Sequence, residues 1–163
     1  MAYRQCDHQR DDPRVGRVNL IYRVAAAAEV LRVKLLDLPV SHPAELEPAF
    51  AAAERESAGG LAVGGDSLFI DLRGAIVEQA ARYRLPVLYP WREASVDGGL
   101  ASYGTDYAES FRLAGEYTGR VLQGEKPADL PVQQVIKMQL VVNMKTANTL
   151  GLTMPQSLLV RSR

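Results

Sequence analysis

Short apolar runs alternate with longer amphipathic stretches along most of the chain. Runs closed by Pro or Gly, or rich in β-forming side chains, predict strands: 33–40, 61–63, 85–89, 100–104 and 132–142. Apolar positions that recur every three or four residues predict helices: most of 22–32, then 46–56, 68–82, 106–123 and 145–150. This alternation is typical of a parallel sheet with helical crossovers, so we predict the α/β class.

Capping residues set the expected ends of the second helix. Ser41 stands where an N-cap is expected, and Glu45 and Glu47 follow in the first turn. The pair Gly59-Gly60 is expected to end this helix on its carboxyl side.

The remaining elements are predicted from apolar spacing. Leu68, Leu72, Ile76 and Ala80 form one stripe of the third helix. Helix 106–123 is expected to turn Phe111, Ala114, Thr118 and Leu122 inward and to end at Gly124. Residues 91–99 are expected to form a loop.

Composition narrows the possible functions. The 163 residues are 47% apolar and 23% charged, an ordinary mix for a globular protein. Lys plus Arg and Asp plus Glu are both 19, so the basic excess of nucleic-acid-binding surfaces is missing, and we expect no nucleic-acid partner. Cys6 is the only cysteine, so it cannot form an internal disulfide. Together with His8 and His42 it provides too few ligands for a zinc site. We therefore expect no metal and no cofactor.

Candidate binding residues follow the predicted strand 61–63. Gly64-Gly65-Asp66-Ser67 lies at its carboxyl end, the edge where parallel sheets bind ligands. Asp66 could accept hydrogen bonds from a ligand ammonium, and Ser67 could add a hydroxyl. Helix capping by either residue is an equally good interpretation. The stretch lacks the Gly-Lys-Ser/Thr ending of a phosphate loop.

Two further stretches are expected at the same edge. In Trp91-Arg92-Glu93 a ring beside two charges could stack on a ligand and pair with its charged groups, or could be a solvated hinge loop. Ser102-Tyr103-Gly104 offers a hydroxyl and a ring, or forms a structural turn capped by Asp106.

Catalysis has no support in the sequence. Both histidines precede residue 43, so no Ser-His-Asp arrangement is evident, and no matched pair of carboxylates stands out. We expect no catalytic residues and no enzyme activity.

Several ordered motifs stand in the second half of the chain: Arg84-Leu85-Pro86, Gly98-Gly99-Leu100, Ser102-Tyr103-Gly104, 122–132 and 143–159. This set resembles the C-terminal part of ABC-transporter substrate-binding proteins of the tryptophan/tyrosine type, which are similar to type 1 periplasmic binding proteins. Upstream, 44–50 and 65–69 also fit the resemblance. Together they cover roughly residues 33 to 160. The family's usual Asp-Pro reads Asp66-Ser67 here.

The resemblance implies one lobe of a two-lobed receptor that closes on a small ligand. The expected division is a polar leader over 1–16, a second-lobe-like α/β domain over 17–92, and a cross-back helix, strand and tail over 93–163, with the first lobe absent. An ABC permease is the implied partner and the periplasm the implied location. The first residues lack the apolar core of a signal peptide, so a cytoplasmic location is also open.

The leading hypothesis is a truncated or partial solute-binding protein for an amino acid or a similar small molecule. Its expected cleft residues are Asp66 and Glu93 for a cationic group, Ser67 and Ser102 for hydroxyls, and Trp91 and Tyr103 for apolar walls. The alternative is an interaction or assembly module derived from such a lobe, and an enzyme on a flavodoxin-like sheet is the weakest hypothesis.

A homodimer is expected as well, because helix 106–123 and the following strand would lack a first lobe to cover them. The expected patch is Phe111, Leu113, Tyr117, Val121, Ile136, Leu140 and Val142. The alternative is that both elements fold back on the sheet and give a compact monomer.

Overall fold

Four strands form one sheet in the order β1-β2-β3-β4 in the computed structural model. The structure describes residues 18–133 and 137–160, with side chains from residue 24 onward in these ranges. The strands are β1 (Leu61–Ala62), β2 (Val87–Tyr89), β3 (Ala101–Thr105) and β4 (Met138–Val142). The first three are parallel, and β4 is antiparallel to β3. The predicted α/β class is confirmed. The expected leader, with Cys6 and His8, lies outside the described residues.

Eight α-helices connect and flank these strands in the described part of the chain. They are α1 (Val18–Val30), α2 (Leu46–Arg55), α3 (Ser67–Asp71), α4 (Arg73–Arg82), α5 (Arg92–Val96), α6 (Tyr107–Leu122), α7 (Met144–Thr149) and α8 (Gln156–Leu159). The helix expected over 145–150 is α7, and Gly151, with φ of +72°, follows its end as predicted. The short helix α8 was not predicted.

The core lies where α2 and α4 pack against the sheet. Its buried side chains are Val40, Leu46, Phe50, Ala53, Phe69, Ile76, Ala80, Leu85, Val87, Tyr89, Trp91 and Ala94. The ring of Phe50 stacks on Tyr83 with centroids 5.8 Å apart. The apolar face expected for the second helix is therefore the face that is buried.

The strand predicted over 33–40 is wrong: no residue of this segment belongs to a β-ladder. Pro39 has no N–H to donate to a ladder, and β1, the neighbouring edge strand, is only two residues long. The apolar side chains of this segment pack on the fold without strand pairing. Leu38 and Val40 line a cavity of about 40 Å³ together with Leu61.

The single helix expected over 68–82 is divided into α3 and α4. Leu72 leaves helical geometry with φ −83° and ψ 5°, yet its carbonyl still accepts the N–H of Ile76 at 2.9 Å. The predicted stripe survives the break, because Ile76 and Ala80 are buried and Leu68 packs against the core.

The loop expected over 91–99 contains the short helix α5. Ala94 and Ser95 of this helix are buried, and Trp91 before it belongs to the core. These buried side chains hold the single turn of α5 on the sheet. No capping residue in the sequence predicts this turn.

The inward face expected for α6 is also wrong. No residue of α6 is buried, and Phe111 and Leu122 are 75% and 82% exposed. The half-buried side holds Leu113 and Tyr117 instead, and the Tyr117 hydroxyl donates to the carbonyl of Pro131. Apolar spacing marks a stripe on a helix, but it does not show whether another element covers that stripe.

The N-cap expected at Ser41 belongs to His42. A 3-10 turn, Pro43–Glu45, precedes α2, and His42 Nδ1 accepts the N–H of Ala44 at 3.3 Å. Glu45 Oε2 accepts the N–H of His42 at 3.3 Å, which completes a capping box, and it also accepts the N–H of Ser41 at 2.7 Å.

Helices α1, α2 and α4 end on left-handed residues other than glycine. These residues are Arg32, Ser57 and Arg84, with φ of 54°, 53° and 49°. In α2 the N–H of Ala58 reaches back to the carbonyl of Ala53 at 2.9 Å, the closing bond of a Schellman motif. The helix therefore ends before Gly59-Gly60 as predicted, one residue short of the expected Glu56, and its left-handed residue is Ser57 rather than a glycine.

Candidate functional site

The carboxyl ends of β1 and β2 leave the sheet side by side. Ala62 is level with Leu88, and the N–H of Val63 donates to the Leu88 carbonyl at 2.9 Å. The segments 64–67 and 90–93 therefore start at one edge, where parallel sheets place their ligands. The expected convergence of these two stretches is present.

Asp66 caps α3 at this edge. Its Oδ1 accepts the backbone N–H of Leu68 at 2.9 Å. The carboxylate is half-buried, and Ser67 beside it is exposed. A cap uses one of the two carboxylate oxygens, so capping and ligand binding are compatible roles for Asp66.

Trp91 and Glu93 occupy different surroundings. Trp91 is only 4% exposed and belongs to the core, so its ring supports the edge from below. Glu93 is exposed in the first turn of α5, where a carboxylate faces the positive end of the helix. Of these two residues, Glu93 is the one at the solvent boundary.

Ser102 and Tyr103 point to opposite faces of the sheet, because neighbouring residues of a strand alternate. Ser102 is level with Tyr89 and is 2% exposed, whereas Tyr103 is 52% exposed. The two side chains therefore cannot line one wall of a pocket together.

Two glycines, Gly99 just before β3 and Gly104 within it, allow close packing against Tyr89 and Pro90 at the end of β2. A methyl group at Gly104 would collide with the carbonyl of Pro90, and one at Gly99 would lie 2.6 Å from the Tyr89 ring. The backbone of β3 can approach Pro90 only because residue 104 is glycine. This contact sets how closely Pro90 lies to the backbone of β3.

Burial also shapes the chemistry of Tyr89. Removal from water raises the pKa of its phenol, which keeps the side chain neutral. Within the described part of the chain, the Tyr89 hydroxyl and the Ser95 hydroxyl are buried without a hydrogen-bond partner. These hydroxyls lie inside the fold, so they do not contribute to an open site.

An ion pair at the end of β3 was not predicted. Asp106 Oδ2 lies 3.0 Å from Lys137 Nζ, and the backbone N–H of Asp106 donates to the Lys137 carbonyl. Asp106 also caps α6, with Oδ1 accepting from Ala108 at 3.1 Å. The hydrogen bond from Lys137, with help from the capping N–H groups, lowers the pKa of Asp106. Sequence indicated the cap, but Lys137 is 31 residues away along the chain.

Asn143 connects the start of α7 to α5 and to the residue before β3. Its Nδ2 donates to the Ser95 carbonyl at 2.9 Å, and its Oδ1 caps α7 by accepting from Thr146 at 3.1 Å. Its backbone N–H donates to the Leu100 carbonyl at 2.8 Å. Thr146 adds a bond from its hydroxyl to the Gly98 carbonyl at 2.8 Å. The motif 143–159 is thereby tied to the α5–β3 connection.

A large apolar groove lies away from the candidate edge. It has a volume of about 660 Å³ and is lined near the starts of the strands, among others by Leu36, Pro86, Leu100, Met154 and Leu158. The size suits a small ligand, but the candidate residues at the carboxyl edge do not line it.

No cluster of three or more His, Cys, Asp or Glu side chains suited to a metal occurs among the described residues. Nor does any helix in the described ranges have the length and apolar character to cross a bilayer.

Known proteins resemble this chain in sequence and in fold. The sequence model of the ABC transporter substrate binding protein family matches residues 15–163. No curated protein matches the chain. A conserved domain protein from Vibrio cholerae is 25% identical with a TM-score of 0.77, over 89% of this chain and 49% of its own.

Two further solved structures are similar. An ABC domain from Streptococcus pneumoniae in complex with L-Trp is 25% identical with a TM-score of 0.75, over 87% of this chain and 49% of its own. A ligand-free, open substrate binding protein with adhesive properties from Clostridium difficile shares the fold at 20% identity, with a TM-score of 0.60 over 83% of this chain and 46% of its own.

The chain spans about half the length of these solved neighbours. The family match extends over nearly the whole sequence and includes every described strand. The chain therefore belongs to the ABC transporter substrate binding protein family.

Proposed function

We propose that this chain is one ligand-binding lobe of an ABC-importer receptor for a small solute, with an amino acid as the substrate class. The family match over residues 15–163 carries the proposal. The amino-acid class is supported by the solved neighbour that holds L-Trp. An ABC permease as partner and a place outside the cytoplasmic membrane follow from the family and are part of the proposal.

The proposed ligand surface is the carboxyl edge of β1, β2 and β3. Asp66 and Glu93 supply negative charge for an ammonium group, and Ser67 supplies an exposed hydroxyl. Tyr103 is open on the other face of β3, while Trp91 and Ser102 are buried and support this edge. The division of the chain at residues 16 and 92 stays a prediction, although β2 and β3 pair across the second boundary.

Binding by this chain alone is expected to be weak. A ligand site normally buries most of its ligand between facing walls, and the edge offers one wall. Isothermal titration of the whole chain with L-Trp, L-Tyr and branched amino acids tests the proposal. A dissociation constant of about 0.1–10 mM is expected. Submicromolar binding would contradict the single-wall geometry, and no binding of any amino acid would refute the ligand proposal.

A charge-removing variant locates the site. Asp66→Asn keeps an acceptor for the cap on α3 and removes the charge that faces an ammonium group, so the affinity is expected to fall about tenfold. Asp71→Asn removes an exposed carboxylate from the other end of α3 and is the matched control. Equal affinities of the Asp66 variant and the unmodified chain would exclude Asp66 from the site.

An interaction module without a transport ligand is the second candidate function. The exposed apolar side of α6 favours it, because such surfaces mark protein contacts. This candidate predicts self-association or partner binding with no response to amino acids. The homodimer expected from the sequence is compatible with both candidates.

A further inference from the structure

The candidate edge carries one cation besides its carboxylates. Segments 64–67, 90–93 and 104–106 lie at the carboxyl ends of β1, β2 and β3, and Arg92 is the only basic residue among them. Because β1 and β2 are paired, and paired strands lie about 4.8 Å apart, Arg92 and Asp66 follow strand ends that are close together. An amino acid carries its ammonium and its carboxylate on one carbon atom. It therefore needs an anionic and a cationic partner that are close to each other.

Buried neighbours hold the backbone of Arg92 in place. Trp91 before it is 4% exposed, and Ala94 after it is buried on the sheet. Pro90 packs so closely on Gly104 that a methyl group at residue 104 would collide with it. Arg92 itself is exposed at the start of α5, so its side chain extends from a fixed backbone at this edge. A fixed backbone reduces the ordering cost of ligand binding.

The charge of Arg92 is not compensated within the described fold. Arg73 Nε lies 2.6 Å from Asp97 Oδ2, and Lys137 Nζ lies 3.0 Å from Asp106 Oδ2, so the cations of α4 and of the start of β4 have partners. Among the residues that the structure describes, no ion pair or hydrogen bond involves the guanidinium of Arg92.

The helix that carries Arg92 does not account for its charge either. Arg92 and Glu93 are consecutive residues of α5, and consecutive side chains of a helix do not face each other. The first turn of a helix carries partial positive charge, which favours Glu93 and disfavours a guanidinium. Arg92 therefore adds no stability to α5. A residue that breaks a local rule of stability is expected where it serves a function.

We propose that Arg92 binds the carboxylate of the ligand while Asp66 binds its ammonium group. This inference rests on the proposed function, because it assumes an amino-acid ligand at the carboxyl edge. A guanidinium meets a carboxylate with two parallel hydrogen bonds, a geometry that lysine does not reproduce. Asp66 keeps one carboxylate oxygen beyond the one that caps α3. The edge thus selects a ligand that carries both charges.

Ligands that lack the carboxylate test this role. NMR titrations of the whole chain compare L-Trp and L-Leu with their decarboxylated amines. Arg92→Gln is expected to weaken the binding of the amino acids about tenfold and to leave the binding of the amines unchanged. Asp66→Asn removes the partner of the ammonium group, which both ligand types carry, so it is expected to weaken both.

A charge reversal gives a gain of affinity that loss of folding cannot imitate. Arg92→Glu adds a carboxylate near Asp66 and Glu93, so it is expected to bind the amines more tightly than the unmodified chain does and the amino acids more weakly. Arg92→Lys keeps the charge without the fork of donors, and its affinity for amino acids is expected to fall between those of Arg92→Gln and the unmodified chain.

Arg55→Gln is the matched control. Arg55 is also exposed and outside the ion pairs of the described residues, but it lies at the end of α2, on the side where β1 begins. Its replacement is expected to change neither the affinity for amino acids nor that for amines. An equal loss in the Arg55 and Arg92 variants would show an effect of net charge, and the role of Arg92 would be wrong.

Two further results would overturn the role of Arg92. One is an Arg92→Gln chain that binds the amino acids as tightly as the unmodified chain does, and the other is an equal loss for amino acids and amines. In both cases the unmodified chain still binds amino acids, so the proposed function stands. If the unmodified chain binds no amino acid, the proposed function fails and the role of Arg92 fails with it.

Discussion

Asp106 shows how one side chain can connect two distant parts of this chain. It caps α6 through its side chain and pairs with Lys137 at 3.0 Å, next to β4. Gly104 acts nearby through its missing side chain, which lets the backbone pass Pro90. Both residues act at the point where the chain leaves β3, and both hold the backbone there in one path.

Loss of the Asp106 charge is expected to change how stability depends on pH. The lowered pKa means that the stabilisation is fully present above the unfolded pKa of about 3.9 and is lost as pH falls through the folded value. Asp106→Asn keeps a capping acceptor but no charge, so it is expected to be less stable than the unmodified chain at neutral pH. The gap is expected to close in acid.

Urea denaturation at a series of pH values measures this difference. Asp71→Asn, at an exposed carboxylate outside any ion pair of the described residues, is the control and is expected to show no such pH-dependent gap. A gap between Asp106→Asn and the unmodified chain that stays constant down to strongly acid pH would contradict the role of the ion pair.

At the scale of elements, the sequence predicts a helix or strand correctly where a local pattern alone determines it. The second helix needs only its spacing, and Leu46 and Phe50 are buried as expected. Residues 33–40 have the same apolar character as a buried strand, and Pro39 already removes one N–H donor. Whether a neighbouring strand is placed to pair with them cannot be read from this segment of the sequence. Whether another element covers α6 cannot be read from the sequence for the same reason: Phe111 belongs to an apolar stripe whether or not anything packs on it.

The candidate site was predictable to a similar degree. Positions after strands, such as Asp66 and Glu93, are found because parallel strands end at one edge. The burial of Trp91 was not predictable, because a Trp that follows a strand has the same sequence pattern whether its ring faces water or the core. Lys137 was missed because its contact depends on how β4 returns to β3.

The left-handed end of α2 predicts a stabilising substitution. Ser57 has φ of 53°, a conformation that costs a residue with a Cβ about 1 kcal/mol. Ser57→Gly is expected to raise the free energy of unfolding by about 0.5–1 kcal/mol. Ala51→Gly inside the same helix is the matched comparison and is expected to lower it by about 1 kcal/mol.

Thermal and urea unfolding of the two glycine variants check both signs. If Ser57→Gly destabilised the chain as much as Ala51→Gly, the flexibility of glycine would outweigh relief of the left-handed conformation. The assignment of Ser57 as the end of α2 would then be wrong.

At the scale of the whole molecule, Asn143 joins the last part of the chain to the middle. Its amide bonds the Ser95 carbonyl, caps α7 and lies beside the bond from its own N–H to Leu100. Asn143→Ala would leave the Ser95 carbonyl and the first turn of α7 without these partners. A loss of about 2–4 kcal/mol in the free energy of unfolding is expected, the sum of a cap and a part-buried hydrogen bond.

Asn148→Ala is the control for that change. Asn148 lies on the same helix and is exposed, so its replacement is expected to change the free energy of unfolding by less than about 0.5 kcal/mol. Chemical denaturation of both variants measures the difference. Similar values for the two would show that the Asn143 amide is not what fastens α7 to the α5–β3 connection.

The antiparallel return of β4 has a consequence for how the chain is made. Ala101 of β3 is level with Val142 of β4, so one side of β3 gains its partner only after residue 142 has been synthesised. The neighbour on its other side, β2, is complete much earlier. During translation β3 is therefore an open sheet edge for the time needed to add all of α6 and β4, and open edges invite pairing with other chains. A chaperone that covers strand edges would protect this interval of synthesis, and a chain cut short between residues 105 and 138 would keep that edge of β3 open.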